Sequence, residues 1–195
     1  MATRTLEQPG GADAAAPTLT DHIAAFAASV TPEAVPERVA WQARLCILDT
    51  IGCIVAGSAE EDALRLIAAE RPGDPGGDAR VAGTRETFSP EAAARINGYM
   101  GDLFELNDLI GGHASIATVS AALAVADEAK PDGRAFLSAC IAGIESTTRI
   151  HFAYYEHMKP YTEMAITPPA IPNAMGSAAA CAIVSGASPE QVRNA

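Results

Sequence analysis

Glu37 to Ala56, ERVAWQARLCILDTIGCIVA, is the stretch that decides the fold class. Its apolar residues Val39, Leu45, Leu48, Ile51, Ile54 and Val55 recur near the 3.6-residue period, so a long helix is expected. Gly52 and Cys53 are small enough to admit a second helix against it. Working outward, Leu19-Thr20-Asp21 supplies capping residues before HIAAFAAS, a short amphipathic helix, and Thr31-Pro32 and Pro36 punctuate the link. Downstream, Glu60 to Arg71 reads as another helix and PGDPGGD at 72–78 as a turn-rich loop. Only Ala79 to Gly83 has extended character. Ser89-Pro90-Glu91 opens a further helix with an N-cap and a proline at its first position. Ile116 to Ala129 is apolar on nearly every face and is expected to be a buried central helix. Pro131-Asp132-Gly133 turns the chain into Ala135 to about Phe152, where Ser138, Ala139, Ala142 and Gly143 permit tight packing. Ser188-Pro189-Glu190-Gln191 announces a last helix with a capping box, cut short at Ala195. The expectation is all-α: a multi-helix bundle over 18–195 with little or no strand, truncated within its final helix. Residues 1–17, rich in Ala, Gly and Pro, are expected to be a disordered leader.

Composition limits the function classes. The chain has 195 residues, 49% hydrophobic and 5% aromatic, enough for one substantial core of small aliphatic side chains. A net charge of −11 and a pI near 4.7 argue against nucleic acid or an anionic membrane as partner, because both are bound by Lys and Arg. Two uncharged runs, 109–126 and 164–189, are interrupted by Gly-Gly-His and by prolines, so neither is a membrane span. Cys46, Cys53, Cys140 and Cys181 show no metal spacing and lie in apolar stretches, which fits buried free thiols of a cytoplasmic protein. The helices at 37–56, 116–129 and 135–152 are too apolar for one short bundle to cover. Burial against a second subunit, as in a homodimer, or against a further domain is therefore expected.

Chemistry concentrates in NGYMGDLFELNDLIGGHASIATVS, residues 97–120. A helix running through it would place Asp102, Glu105 and Asp108 on one face, where neighbouring carboxylates raise one another's pKa. Gly111-Gly112 favours a left-handed stop, His113 occupies the turn, and Ser115 is a natural N-cap for the next helix. That helix end would hold a substrate carboxylate beside an imidazole and a carboxylate side chain.

The run Glu105-Leu106-Asn107-Asp108-Leu109, followed by His113-Ala114-Ser115, resembles the signature of the MmgE/PrpD family, usually Asp-Phe-Asp-Asp-Thr and then His-Pro-Ser. ILDTIGCIVAGS is also similar to that family's first long helix. The family includes 2-methylcitrate dehydratase, cis-aconitate decarboxylase and iminodisuccinate epimerase, and the resemblance covers residues 18–195. It implies a lyase or isomerase acting on a small di- or tricarboxylate by proton abstraction next to a carboxylate, with no metal and no cofactor. It further implies that a later α+β domain contributes active-site lysines. On this resemblance Glu105 is the carboxylate base or its partner and His113 the proton donor or oxyanion stabiliser, with Asn107, Asp108 and Ser115 as positioning groups. HFAYYEHMKPYTEM, residues 151–164, is the best donor cluster outside this stretch. The family's Gly-Phe-His-Pro-Thr histidine falls on Thr167 here, so a second donor would come from His157, Lys159 or Tyr161, with Lys159 and Thr167 as substrate-binding positions. Glu for Asp at 105 and Leu for Thr at 109 make strict 2-methylcitrate dehydration less expected. Epimerisation, an inactive partner subunit and a protein-binding module are the alternatives.

Overall fold

The computed structural model describes residues 16–109, 112–155, 157, 159, 163 and 169–195. Its helices are α1 (Leu19–Ser29), α2 (Glu37–Gly57), α3 (Glu61–Glu70), α4 (Pro90–Asp102), α5 (Ala114–Ala129), α6 (Gly133–Tyr155), α7 (Ala170–Val184) and α8 (Pro189–Asn194). A two-stranded antiparallel ladder, β1 (Ala79–Arg80) on β2 (Thr87–Phe88), is the sole sheet among the described residues. The expected all-α bundle is the fold. Of the leader expected at residues 1–17, residues 1–15 lie outside the described residues.

Capping chemistry sets most helix starts. Thr18, rather than the residues at 19–21, caps α1 and exchanges hydrogen bonds with Asp21 in a capping box. Ser89 accepts from the Ala92 amide at the start of α4, and Ser188 with Gln191 forms the box that opens α8. The short ladder is pinned by Asn97 of α4, whose amide accepts from the Ala82 N–H and donates to the Arg80 carbonyl. Asn97 is fully buried, and both ends of its amide are satisfied within the hairpin.

α5 runs through the middle, against α4 on one side and α6 and α7 on the other. One core cluster joins Ile54, Phe88, Ile96, Met100 and Ile116, and a second joins Val119, Cys140, Ala180 and Val184. Glycines allow the closest approaches. A side chain on Gly57 would strike the Met100 backbone, and one on Gly176 would strike Thr147 and the Gly143 carbonyl, so α2 meets α4 and α6 meets α7 almost backbone to backbone. Gly143 thus does what the sequence suggested. Gly52 does not: nothing among the described residues lies within 4 Å of where its Cβ would be. α2 is long and apolar enough to cross a membrane by length and composition, with a hydropathy of 1.5. It also carries Glu37, Arg38, Arg44 and Asp49, and Ala40, Ala43, Thr50, Ile54 and Gly57 are buried against the rest of the domain.

None of the four cysteines is paired. Cys140 alone is fully buried; Cys46, Cys53 and Cys181 are half-buried, which corrects the expectation that all four sit in the core. Burial, with Cys181 adding to it, pushes the Cys140 thiol up to about 12, so it is an inert core group.

Candidate active site

The chain between α4 and α5 folds back on itself instead of continuing as helix. α4 ends at Asp102, and beside that end Ile116 of α5 packs on Gly101 so closely that a side chain there would meet the Ile116 Cδ1. Asp102, Glu105 and Asp108 therefore do not form the expected helical stripe. Glu105 takes a left-handed conformation at φ 51°, rare for a residue with a side chain, and this reverses the chain. Asn107 then turns inward, is buried, and donates its amide N–H groups to the Gly101 carbonyl at 3.3 Å and to Asp102 Oδ1 at 2.8 Å. The first of these satisfies a carbonyl that the helix end leaves without an intrahelical partner.

Two pure acceptors thus fix the orientation of the Asn107 amide and aim its oxygen at His113 Nδ1. Nδ1 must carry the hydrogen of that contact, so the remaining nitrogen, Nε2, is the one that gains or loses a proton. Nε2 lies 3.9 Å from Glu105 Oε2. Suitable atoms of Asp102, Glu105 and His113 all fall within 4.8 Å of one another, and Glu105 and Asp102 are exposed while His113 is half-buried. An imidazole of fixed tautomer therefore faces a carboxylate at the surface.

Two expectations about the helix end are corrected. His113, not Ser115, is the N-cap residue of α5, with left-handed φ 59° and ψ 45° and no capping side chain. The anion at this end is the protein's own: the Ser115 amide donates to both Asp108 oxygens, at 3.2 and 3.4 Å. Asp108 supplies the cap from across the loop, and the seat suggested for a substrate carboxylate is occupied. Burial raises the Asp108 pKa above the usual carboxylate range, with the hydrogen bonds from Ser115 and the His113 charge pulling the other way. The Ser115 hydroxyl is buried with no partner among the described residues.

The structure adds two residues that sequence reasoning did not assign. His151 of α6 lies against the Gly112 Cα, buried, with Nδ1 unpartnered among the described residues and its ring against Phe152 and Tyr155. Burial lowers its pKa, and the charge of His113 lowers it further. Asn173 of α7 donates to the Gly112 carbonyl at 3.0 Å. The sequence signal available for His151 was its place on the inward side of a largely apolar helix; Asn173 lay in a proline-flanked run with no such signal. Lys159 is exposed and so is His157. Thr167 and Tyr161 lie outside the described residues, as does Gly111. Glu105, Asn107, Asp108, His113 and Ser115 are thus brought together.

The helices thus converge on a loop that presents an imidazole among carboxylates, within a mostly helical domain. The family model for the MmgE/PrpD N-terminal domain matches residues 21–195, and the chain belongs to that family of dehydratase- and isomerase-like enzymes. No curated protein matches the chain.

Proposed function

We propose that this chain carries the proton-transfer half of a lyase or isomerase site for a small di- or tricarboxylate. The observation that supports it is the His113 ring, with Nδ1 committed to Asn107 and Nε2 left facing Glu105. In this reading the Glu105 carboxylate takes the proton from the carbon next to a substrate carboxylate. His113 Nε2–H then serves the oxygen end: it donates its proton to a departing hydroxyl, giving water and a C=C bond, or steadies the enolate oxygen until a proton returns to the other face. Loss of carbon dioxide is the third outcome on these groups: the C–CO2 bond breaks in place of the C–H bond, the electron pair stays on carbon, and a proton from His113 Nε2–H completes the product. Asn107 and Asp108 hold the geometry, Ser115 anchors Asp108 through its amide, and Lys159 and Thr167 are substrate-binding positions. Proton transfer of this kind needs neither cofactor nor metal, although Asp102, Glu105 and His113 also stand within reach of one divalent ion. Turnover unchanged by EDTA is expected, and loss of turnover restored by a divalent ion would replace the proton-transfer reading with a metal-assisted one.

The test is exchange. The complete protein, incubated with candidate polycarboxylates in deuterated water, is expected to place deuterium on the carbon next to a carboxylate. His113→Ala is expected to lower turnover by about 100-fold or more with the fold intact, and His113→Gln, which keeps a hydrogen bond but does not titrate near neutral pH, to be similarly impaired. Near-normal turnover of both variants between about pH 6 and pH 9 would remove His113 from the chemistry.

A further inference from the structure

The turn that follows α4 holds two acids close together: the Glu105 amide donates to the Asp102 carbonyl at 3.0 Å. Asn107 ties this turn to the next one. Its amide N–H reaches Asp102 Oδ1 at 2.8 Å, and its oxygen takes the hydrogen on His113 Nδ1. Asn107 is 3% exposed and is anchored on the Gly101 carbonyl, so one buried side chain orients a carboxylate and an imidazole at the surface. A second hydrogen bond of this kind, on the nitrogen that faces away, is what readies a histidine as a metal ligand. The remaining nitrogen, Nε2, lies 3.9 Å from Glu105 Oε2, and ligand atoms of Asp102, Glu105 and His113 all fall within 4.8 Å of one another. These three residues form a mixed nitrogen and oxygen donor set rather than an acidic patch. Among the described residues neither Asp102 nor Glu105 pairs with a lysine or arginine.

We infer that Asp102, Glu105 and His113 bind one transition-metal ion of the Zn2+ type, and that its occupancy halts the proton transfer proposed for the same groups. Two carboxylates and a neutral imidazole cancel the charge of a divalent ion. The nitrogen selects Zn2+ over Mg2+ and Ca2+, which take oxygen ligands. Ligand atoms about 2.0–2.2 Å from a tetrahedral Zn2+ stand closer together than these do. The exposed side chains of Asp102 and Glu105 are free to swing inward, while Asn107 keeps the His113 ring in place. The effect on turnover follows from lone pairs. The ion takes the Glu105 oxygens that would accept the substrate proton and the Nε2 lone pair that would hold the proton given to the leaving oxygen. That effect rests on the proton-transfer reading, whereas the binding does not. Asp102 separates the two, because it supplies a ligand and has no part in the proposed proton transfer.

Calorimetric titration of the complete protein with Zn2+ alone is expected to show one site per chain, with Mg2+ about 100-fold weaker or more. Asp102→Asn keeps the oxygen that accepts from Asn107 and loses a charged ligand. Removing a hydrogen bond behind a ligand already costs about 10–100-fold in affinity, so Asp102→Asn is expected to weaken Zn2+ by at least that much. In EDTA this variant is expected to exchange deuterium into polycarboxylates as the unaltered protein does. With free Zn2+ buffered just above the dissociation constant of the unaltered protein, exchange is expected to fall in that protein, to continue in Asp102→Asn, and to return when EDTA is added. No binding of Zn2+, binding indifferent to Asp102→Asn or to His113→Gln, Mg2+ bound as tightly as Zn2+, or exchange that Zn2+ leaves unchanged or raises would each overturn the inference. Absence of exchange in EDTA, beside a Zn2+ site that Asp102→Asn destroys, would uphold the metal site and remove the proton-transfer reading instead.

Discussion

Gly112 is constrained twice, by its own backbone and by a neighbour. Its φ of 74° disfavours any side chain, and a Cβ would come within 2.6 Å of His151 Nδ1. Gly112→Ala is expected to cost about 2 kcal/mol or more, of which the left-handed backbone accounts for about 1–2. His151→Ala added to it relieves the collision but not the backbone, so thermal unfolding of the double variant separates the two contributions. His151 also makes stability depend on pH, and the sign follows from its lowered pKa. Between the folded value and 6.5 the unfolded chain binds more protons than the folded one, so stability rises with pH across that window and is fully present above it. His151→Phe keeps the ring contacts with Phe152 and Tyr155, removes a buried nitrogen that has no partner among the described residues, and is expected to flatten this dependence in chemical unfolding followed from about pH 5 to pH 7. A slope that persists in His151→Phe would assign it to another group.

At the scale of elements, what the sequence made legible was periodicity and caps. The 3.6-residue recurrence in α2, the Ser89-Pro90 start of α4 and the Ser188/Gln191 box of α8 are local signals, and all are in the structure. The site residues were legible as a cluster too, but not their geometry. Acids at 102, 105 and 108 fit a helix equally well, whereas the left-handed Glu105 and the Asn107 amide folded back onto Gly101 and Asp102 carry no periodic signal. Glycine is similarly ambiguous in one dimension: Gly52 and Gly176 both suggest close helix packing, yet only Gly176 has it. Its Cβ would lie 1.9 Å from Thr147 Oγ1 and 2.4 Å from the Gly143 carbonyl, so Gly176→Ala must push α7 off α6. A loss of about 3 kcal/mol or more is expected in denaturant unfolding. Gly98, inside α4 with nothing near its missing side chain, carries the opposite expectation: Gly98→Ala gains about 0.5–1 kcal/mol from helix propensity alone. A similar sign for the two substitutions would mean that backbone propensity, not packing, governs both.

For the molecule as a whole, the first and last described helices close on one another. Val192 of α8 packs with Ala24 and Ala27 of α1 and with Ala142 and Ala179, while Arg193 reaches across to Asp21 of the α1 capping box. The two links differ in kind. Arg193 and Asp21 have side chains 48% and 30% exposed, so solvent and salt screen their attraction, and Asp21, whose pKa falls to about 2, owes that first to Thr18 and only then to Arg193. Val192 is 7% exposed, and full burial of a valine side chain contributes about 1.5–3 kcal/mol relative to leaving it in water. The apolar contact should therefore hold α1 in place. Val192→Ala is expected to lower stability by about 1–2 kcal/mol and to speed hydrogen exchange at the α1 amides, because α1 is short and depends on this packing more than on its own propensity. Arg193→Ala is expected to leave α1 exchange nearly unchanged at physiological salt. If Arg193→Ala instead released α1 while Val192→Ala did not, the closure would be electrostatic, and its strength would fall as salt is added and as the pH drops from 3.8 towards 2, where Asp21 loses its charge.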